Sequence, residues 1–414
     1  MTSLRLVGIV LGLCLLAGTA LASTGVQPLW TYRATSPEGY SVAISADGSS
    51  IAACLDRIYL FTRSGEKVWG GFEGKAVSIT GDGSVIAAGT DAGIRVMDNR
   101  GRTLWLDSDV KPVDTISMSP EGRFVATIGG TTFSLHTNAG FLLARNSSSG
   151  ATAVAIPTDG SIIAGGTPDS LVGFNQSGTE KWRYGIFENR KLLFARDGTY
   201  LAGASAYSVV ALHPSGNLLW SYRTGSNLRD IAISSDSRYI VAGSDDRRVY
   251  LFNRTGGLLW SYDLGDPVAC VDISGNGSFI SAGSGRGLDH RVYLFTAAGD
   301  LAWSYQATGW VTDVALSEDG SSLAAVSNDG VLAFFSTAGA PVPPPATTVP
   351  SEAITTPAPP GTSPPAGTQP TTGAQSTMKW PEPGPTRAGG TPLFSTALAA
   401  LAAGFLMRMK EPGK

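Results

Sequence analysis

The chain has 414 residues, 52 of them glycine, with only 15% charged residues and a net charge of −3. That length allows two or three average domains, although an all-β domain of about 300 residues can also be one unit. No basic stripe runs along it, which excludes a nucleic-acid partner.

Residues 1–22 read as a secretory signal. Arg5 gives the positive start, Leu6 to Leu16 the apolar stretch, and Ala20-Leu21-Ala22 a small-x-small cleavage site, so the mature chain begins near Ser23. A lipobox at Cys14 is ruled out by the bulk of Leu13 and by Leu15 and Leu16, which continue the apolar run. The mature chain keeps Cys54 and Cys270, which fall in different repeat units and are expected as two buried thiols rather than a disulfide.

From residue 27 the chain repeats itself. Gly-x-x-x-Trp recurs at Gly65–Trp69, Gly101–Trp105, Gly178–Trp182, Gly216–Trp220, Gly256–Trp260 and Gly299–Trp303. Gly140 opens a degenerate copy with Ala144 in the tryptophan place, and Trp30 stands in a copy without the glycine. The eight copies lie 36 to 43 residues apart. Between them comes a short apolar segment ending in an acid or Asn turn, at Asp47, Asp82, Glu121, Asp159, Asp197, Asp236, Asn276 and Asp319. Such turns are strong hairpin chemistry, because the following glycine takes positive φ without steric cost. Two more apolar strands complete each unit, as in YIVAGSD and RRVYLF.

Four short strands in about 40 residues is the signature of a propeller blade, and no helical periodicity competes with it. The eighth unit has three strands and then runs into prolines. A spare strand, Leu29 to Arg33, waits at the other end. Supplying it to the last blade closes the ring and removes an open sheet edge. The expected fold is therefore all-β, an eight-bladed propeller of four-stranded blades over residues 27–338.

LFNRTGGLLWSY and ALHPSGNLLWSY resemble the tryptophan-docking motif of PQQ-like quinoprotein propellers, and ISSDSRYIVAGSDDRRVYLFN resembles WD40 repeats. The resemblance covers about three quarters of the chain and implies a fold that hosts enzymes, assembly factors and adhesion scaffolds alike. Trp30, Trp69, Trp105, Trp182, Trp220, Trp260 and Trp303 are expected to lock neighbouring blades together. Each would bury about 150–250 Å², roughly 4–6 kcal/mol gross. Ala144 then marks a weaker junction between blades 3 and 4.

No catalytic or metal set stands out, and no cofactor is expected. The vicinal cysteines, calcium ligands and long inserted loops of PQQ-dependent dehydrogenases are missing, so a quinone-dependent oxidoreductase is the minor alternative. His136, His213 and His290 belong to three different blades and do not converge. For binding, the mouth of the central channel is the place to look. Aligned on the hairpin turns, one column at the entry to the innermost strands reads Tyr40, Lys75, Asp114, Thr152, Arg190, Arg229, Ala269 and Thr312. The next reads Ser41, Ala76, Thr115, Ala153, Lys191, Asp230, Cys270 and Asp313, and the third, from Val42 to Val314, is wholly aliphatic core. Arg190, Lys191, Arg229 and Asp230 come from adjacent blades and are expected to cluster, with Trp310 and Asp313 two blades on. They form either an ordinary salt-bridged rim or an anion or glycan site.

Residues 339–387 form a stalk rich in Pro, Thr, Ser, Gly and Ala, with fourteen prolines in 341–385. Residues 388–407 carry no charge, enough for a helix of about 30 Å that just spans a bilayer. The basic tail 408–414, with Arg408, Lys410 and Lys414, keeps that end inside and the propeller outside. The layout resembles archaeal surface proteins with a C-terminal sorting signal, with Thr391-Pro392-Leu393-Phe394 where that signal has Pro-Gly-Phe, so processing and simple retention both stay open. Asn146, Asn175, Asn253 and Asn276 head glycosylation sequons that suit an exterior location. The functional expectation is a non-catalytic binding or scaffold propeller, displayed at the cell surface toward an unknown protein, glycan or envelope partner. A structural surface-layer component is the alternative within the same class.

Overall fold

A computed structural model describes residues 26–338, apart from 37, 38, 120, 131, 148–150 and 286. The signal, the stalk, the apolar span and the basic tail lie outside the described residues, as does the side chain of Asn146. The described residues form 32 strands in eight four-stranded antiparallel sheets. Seven blades run in chain order from the innermost strand outward. The innermost strand of each packs beside that of the next, and Val311–Leu316 of blade 8 returns to Ser41–Ile44 of blade 1, so the ring closes at eight.

The expected closure is observed. Trp30–Arg33 pairs antiparallel with the third strand of blade 8, with Trp30 opposite Phe334 and Arg33 opposite Val331. The indole of Trp30 stacks on Phe334 at 5.1 Å between centroids.

Turn chemistry sets each blade. In the first hairpin of blade 1 the Asp47 carboxylate accepts the Ser49 N–H at 2.9 Å and the Ser45 hydroxyl at 2.8 Å. Gly48 follows at φ 70°. The same arrangement recurs at Asp82, Asp236 and Asp319, so these acids build turns. Backbone donation from Ser49 and hydroxyl donation from Ser49 and Ser45 hold the Asp47 carboxyl below its usual range.

The second repeated glycine serves the neighbour. Gly256 adopts φ 86°, and a Cβ there would lie 2.6 Å from the Trp220 ring of the preceding blade. Trp220 Nε1 donates to the Arg254 carbonyl two residues earlier, at 2.9 Å. Six of the seven docking tryptophans make this bond to the next blade: Trp30, Trp69, Trp105, Trp182, Trp220 and Trp260. Trp303 instead meets Phe335, and Val26, at the glycine place before the closing strand, packs against the same cluster. The rings remain partly exposed, which puts their contribution at the low end of the sequence-based figure. At blade 3, Ala144 faces Gly178 with 3.5 Å between the alanine Cβ and a Cβ built on the glycine. The turn has settled onto the alanine and left no ring-sized gap. Between successive blades lie eight separate apolar clusters, in which the aliphatic column from Val42 to Val314 takes part.

Candidate functional site

Alternation along an innermost strand sends one side chain back into the junction behind it and the next forward, toward the following blade and the channel. Val271 points back and Cys270 and Asp272 point forward. The forward residues of blades 5 to 8 are charged or polarisable, and they meet.

Lys191 Nζ lies 2.6 Å from Asp230 Oδ1 of blade 6. Asp230 Oδ2 accepts the Val271 N–H of blade 7 at 2.9 Å. Asp272 of blade 7 accepts the Leu316 N–H of blade 8 at 2.7 Å. Asp313 of blade 8 accepts the Val42 N–H of blade 1 at 2.9 Å. Three carboxylates therefore each hold the backbone of the next blade. Asp272 was not among the residues expected from sequence, although a charge inside the apolar run VACVDIS, two positions after Cys270, was the available signal.

This cluster has one cation and three carboxylates. Burial, with Asp230 adding to it and Lys191 opposing, pushes the Asp313 carboxyl up to about 7. Burial likewise raises Asp272 to about 6 against the hydrogen bonds it accepts from backbone N–H groups. Lys191 is shifted upward despite desolvation, because Asp230 and Asp313 hold its charge. Its side chain keeps 38% of its surface exposed.

Above the cluster an open cavity of about 470 Å³ occupies the channel mouth over blades 6, 7, 8 and 1. Tyr40, Arg229, Asp245, Trp310, Thr312 and Asn328 line it among smaller residues. Arg229 forms two bonds to Asp245, at 2.7 and 2.6 Å, which satisfies its charge. Asn328 Oδ1 accepts the Trp310 N–H at 2.7 Å and holds that loop, leaving the indole 42% exposed. The expected cluster thus separates into levels. Arg229 and Trp310 sit at the mouth, Lys191, Asp230 and Asp313 lie in the channel, and Arg190 pairs with Glu188 at 3.4 Å on blade 5. The basic groups are all matched and the excess charge is negative, which disfavours an anion.

The loops on this face also expose Phe187, Tyr207 and Leu288, none of which the sequence reading singled out. Lone aromatics in loops give no periodic signal. At the opposite end, Arg196 of blade 5 donates to both carboxylate oxygens of Glu318 of blade 8, at 2.7 and 2.8 Å. Those blades are not neighbours, so this pair crosses the channel and obstructs it.

The histidines do not come together. Buried His136 bonds Asp107 through Nε2 at 2.8 Å and stacks against Trp105. His213 bonds Ser215, and His290 meets the Gly287 carbonyl. Cys54 and Cys270 are buried in blades 1 and 7 with no disulfide. Among the described residues no group of three or more His, Cys, Asp or Glu is placed to hold a metal ion.

A profile for a family of unknown function, DUF5711, matches residues 194–329. No curated protein sequence matches the chain. Among solved structures it is similar to Sqt1 of Chaetomium thermophilum bound to the N-terminus of the ribosomal protein L10, at 17% identity and TM-score 0.63, over 74% of this chain and 98% of that one. It is similar to the C-terminal WD40 domain of Sif2 at 15% identity and TM-score 0.65, over 75% and 99%. It is also similar to Saccharomyces cerevisiae Sqt1 at 13% and 0.65, over 75% and 99%. At these identities the likeness is one of fold, and the fold is a WD40-like β-propeller.

Proposed function

We propose that this chain is a non-catalytic scaffold that presents the mouth face of its propeller to a protein partner outside the cell. One observation carries the reading. Of the large apolar side chains exposed outside strands among the described residues, Tyr40, Phe187, Tyr207, Leu288 and Trp310 lie on the mouth face, and Leu29 and Phe141 lie at the other end. Exposed aromatics around a cavity are what a protein interface needs. The propeller of Sqt1, similar in fold, holds a segment of another protein, which favours the same class of partner here. The exterior location rests on the signal and on the stalk-and-span layout of the tail.

Lateral packing in a surface layer is the second reading. It draws on the outermost strands, which expose Leu104, Leu142, Leu218 and Leu258 around the rim.

A photo-crosslinking residue placed at Trp310, and in a second variant at Arg254 on the opposite face, separates these readings in intact cells of the source. Capture of a defined protein from Trp310 and not from Arg254 is the expected result. A third variant with the crosslinking residue at Leu218 on the rim, capturing only further copies of the chain, would favour the surface layer instead.

A further inference from the structure

The carboxylates do not line the mouth cavity themselves, but they stand on the same innermost strands as its lining residues Arg229, Ala269 and Thr312. Asp230 and Asp313 follow the mouth residues Arg229 and Thr312 by one position, and Asp272 follows Ala269 by three. At about 3.3 Å per residue the carboxylates therefore lie from roughly 3 to 10 Å below the mouth. The Arg196–Glu318 pair bars the far end, so the channel has a mouth and a floor.

The charges in this space do not balance. Asp230 takes the Lys191 ammonium, while Asp272 and Asp313 accept only neutral backbone N–H groups. Both keep surface facing the channel. Arg229 above is bound to Asp245 and contributes no net charge. A guest suited to this space has an apolar stem to lie against the exposed Trp310 ring and a cationic head to reach the carboxylates. A phosphate or an acidic residue would meet uncompensated carboxylates.

We propose that the channel receives a basic side chain, a lysine or an arginine, from the protein partner, with its stem against Trp310 and its charge against Asp313 and Asp272. This rests on the mouth-face reading and names the chemistry that the face selects. The groups facing Asp313 are Lys191, Asp230, Asp272 and the Cys270 thiol. Because Asp313 and Asp272 hold protons to about pH 7 and about pH 6, an entering cation displaces them, and binding strengthens as pH rises through that range.

The test uses two small probes, Nα-acetyl-lysine N-methylamide and its neutral norleucine counterpart, followed by calorimetry in buffers of different ionisation enthalpy. The lysine probe is expected to bind about tenfold more tightly at about pH 8, to release protons, and to lose this advantage at about pH 5. The double variant Asp272→Asn, Asp313→Asn keeps a side-chain oxygen for the Leu316 and Val42 N–H groups, and its thermal unfolding reports that it folds. It should bind both probes equally. Equal binding by the unaltered protein, or a lysine preference that survives in the double variant, would overturn the inference. Crosslinked partner still captured at Trp310 in either case would leave the mouth-face reading intact, whereas no capture at Trp310 would end both.

Discussion

The two halves of the ring follow one repeat and are built to different standards. In blades 6, 7 and 8 the innermost strands are six residues long, and each carries a carboxylate that holds the next blade's backbone. A Tyr–Phe pair about 5 Å apart fills their outer layer, as in Tyr222–Phe252, Tyr262–Phe295 and Tyr305–Phe335. In blades 2, 3 and 4 the innermost strands have four, four and three residues, and their forward positions are Ala76, Thr115 and Ala153. Between blades 2 and 3 the Tyr and Phe places are taken by Asp107 and His136, with Arg145 bound to the same carboxylate at 2.7 Å. The next tryptophan place is Ala144. Among the described residues, twelve buried ones form the cluster between blades 5 and 6, and six the cluster between blades 2 and 3. The difference teaches that the turn glycines and acids define the blade, while non-repeating positions set how firmly blades adhere. The DUF5711 match lies within the firmer half.

The sharpest way to break this comparison is a pair of identical substitutions. Gly256→Ala adds a left-handed-backbone penalty and drives a methyl into Trp220. Gly178→Ala carries only the backbone penalty, since its nearest neighbour is a methyl at 3.5 Å. The expected losses in denaturant unfolding are about 3 kcal/mol for the first and about 1 kcal/mol for the second. Equal losses would mean that the docked rings add nothing.

The inner carboxylates give a smaller contrast. Asp272→Ala strands the buried Leu316 N–H and should cost about 2 kcal/mol, while Ser117→Ala, at the corresponding place in blade 3, should stay within about 0.5 kcal/mol. Indistinguishable unfolding midpoints would show that the carboxylate bonds are incidental.

The smallest effect comes from making the weak half resemble the strong one. The triple variant Asp107→Tyr, His136→Phe, Arg145→Ser should gain about 1 kcal/mol by replacing a part-buried charge network with an aromatic pair. It should also change the pH response. Burial holds the His136 imidazole below its ordinary value of 6.5, against the pull of Asp107. The stability it contributes is therefore complete above that value and is lost as pH falls through the folded-state value. The unaltered protein should weaken below about pH 6.5 by more than the variant does, and parallel pH profiles of melting temperature would refute the assignment.

The legible part of this molecule was the periodic part. Glycine at positive φ, the turn acids, the tryptophans and the spare N-terminal strand each recur or pair by simple rules, so blade number, closure and docking could be read from residues such as Gly256 and Trp30. The site was half legible. Aligning the turns located the level of Lys191, Asp230 and Asp313, but which partner each would choose depends on the bend of the ring. Arg229 takes Asp245 from its own blade, and Arg190 takes Glu188, because loops bring those carboxylates closer than the neighbouring blade does. Phe187, Tyr207 and Leu288 are single residues in loops of unequal length, and only the folded chain places them on one face.

The composite eighth blade also imposes an order in time. Trp30–Arg33 is the first part of the domain to be synthesised, and its partners Val331 to Phe334 are nearly the last. Contacts between segments about 300 residues apart form slowly, because loop closure must be met before any pairing energy returns. Earlier blades can fold as they emerge, N-terminal ones first, while this strand waits. Through that interval Val331–Ser336 is an open edge, and a neighbouring copy carries the same waiting strand. The last step of maturation is therefore the one at which two nascent chains can exchange ends.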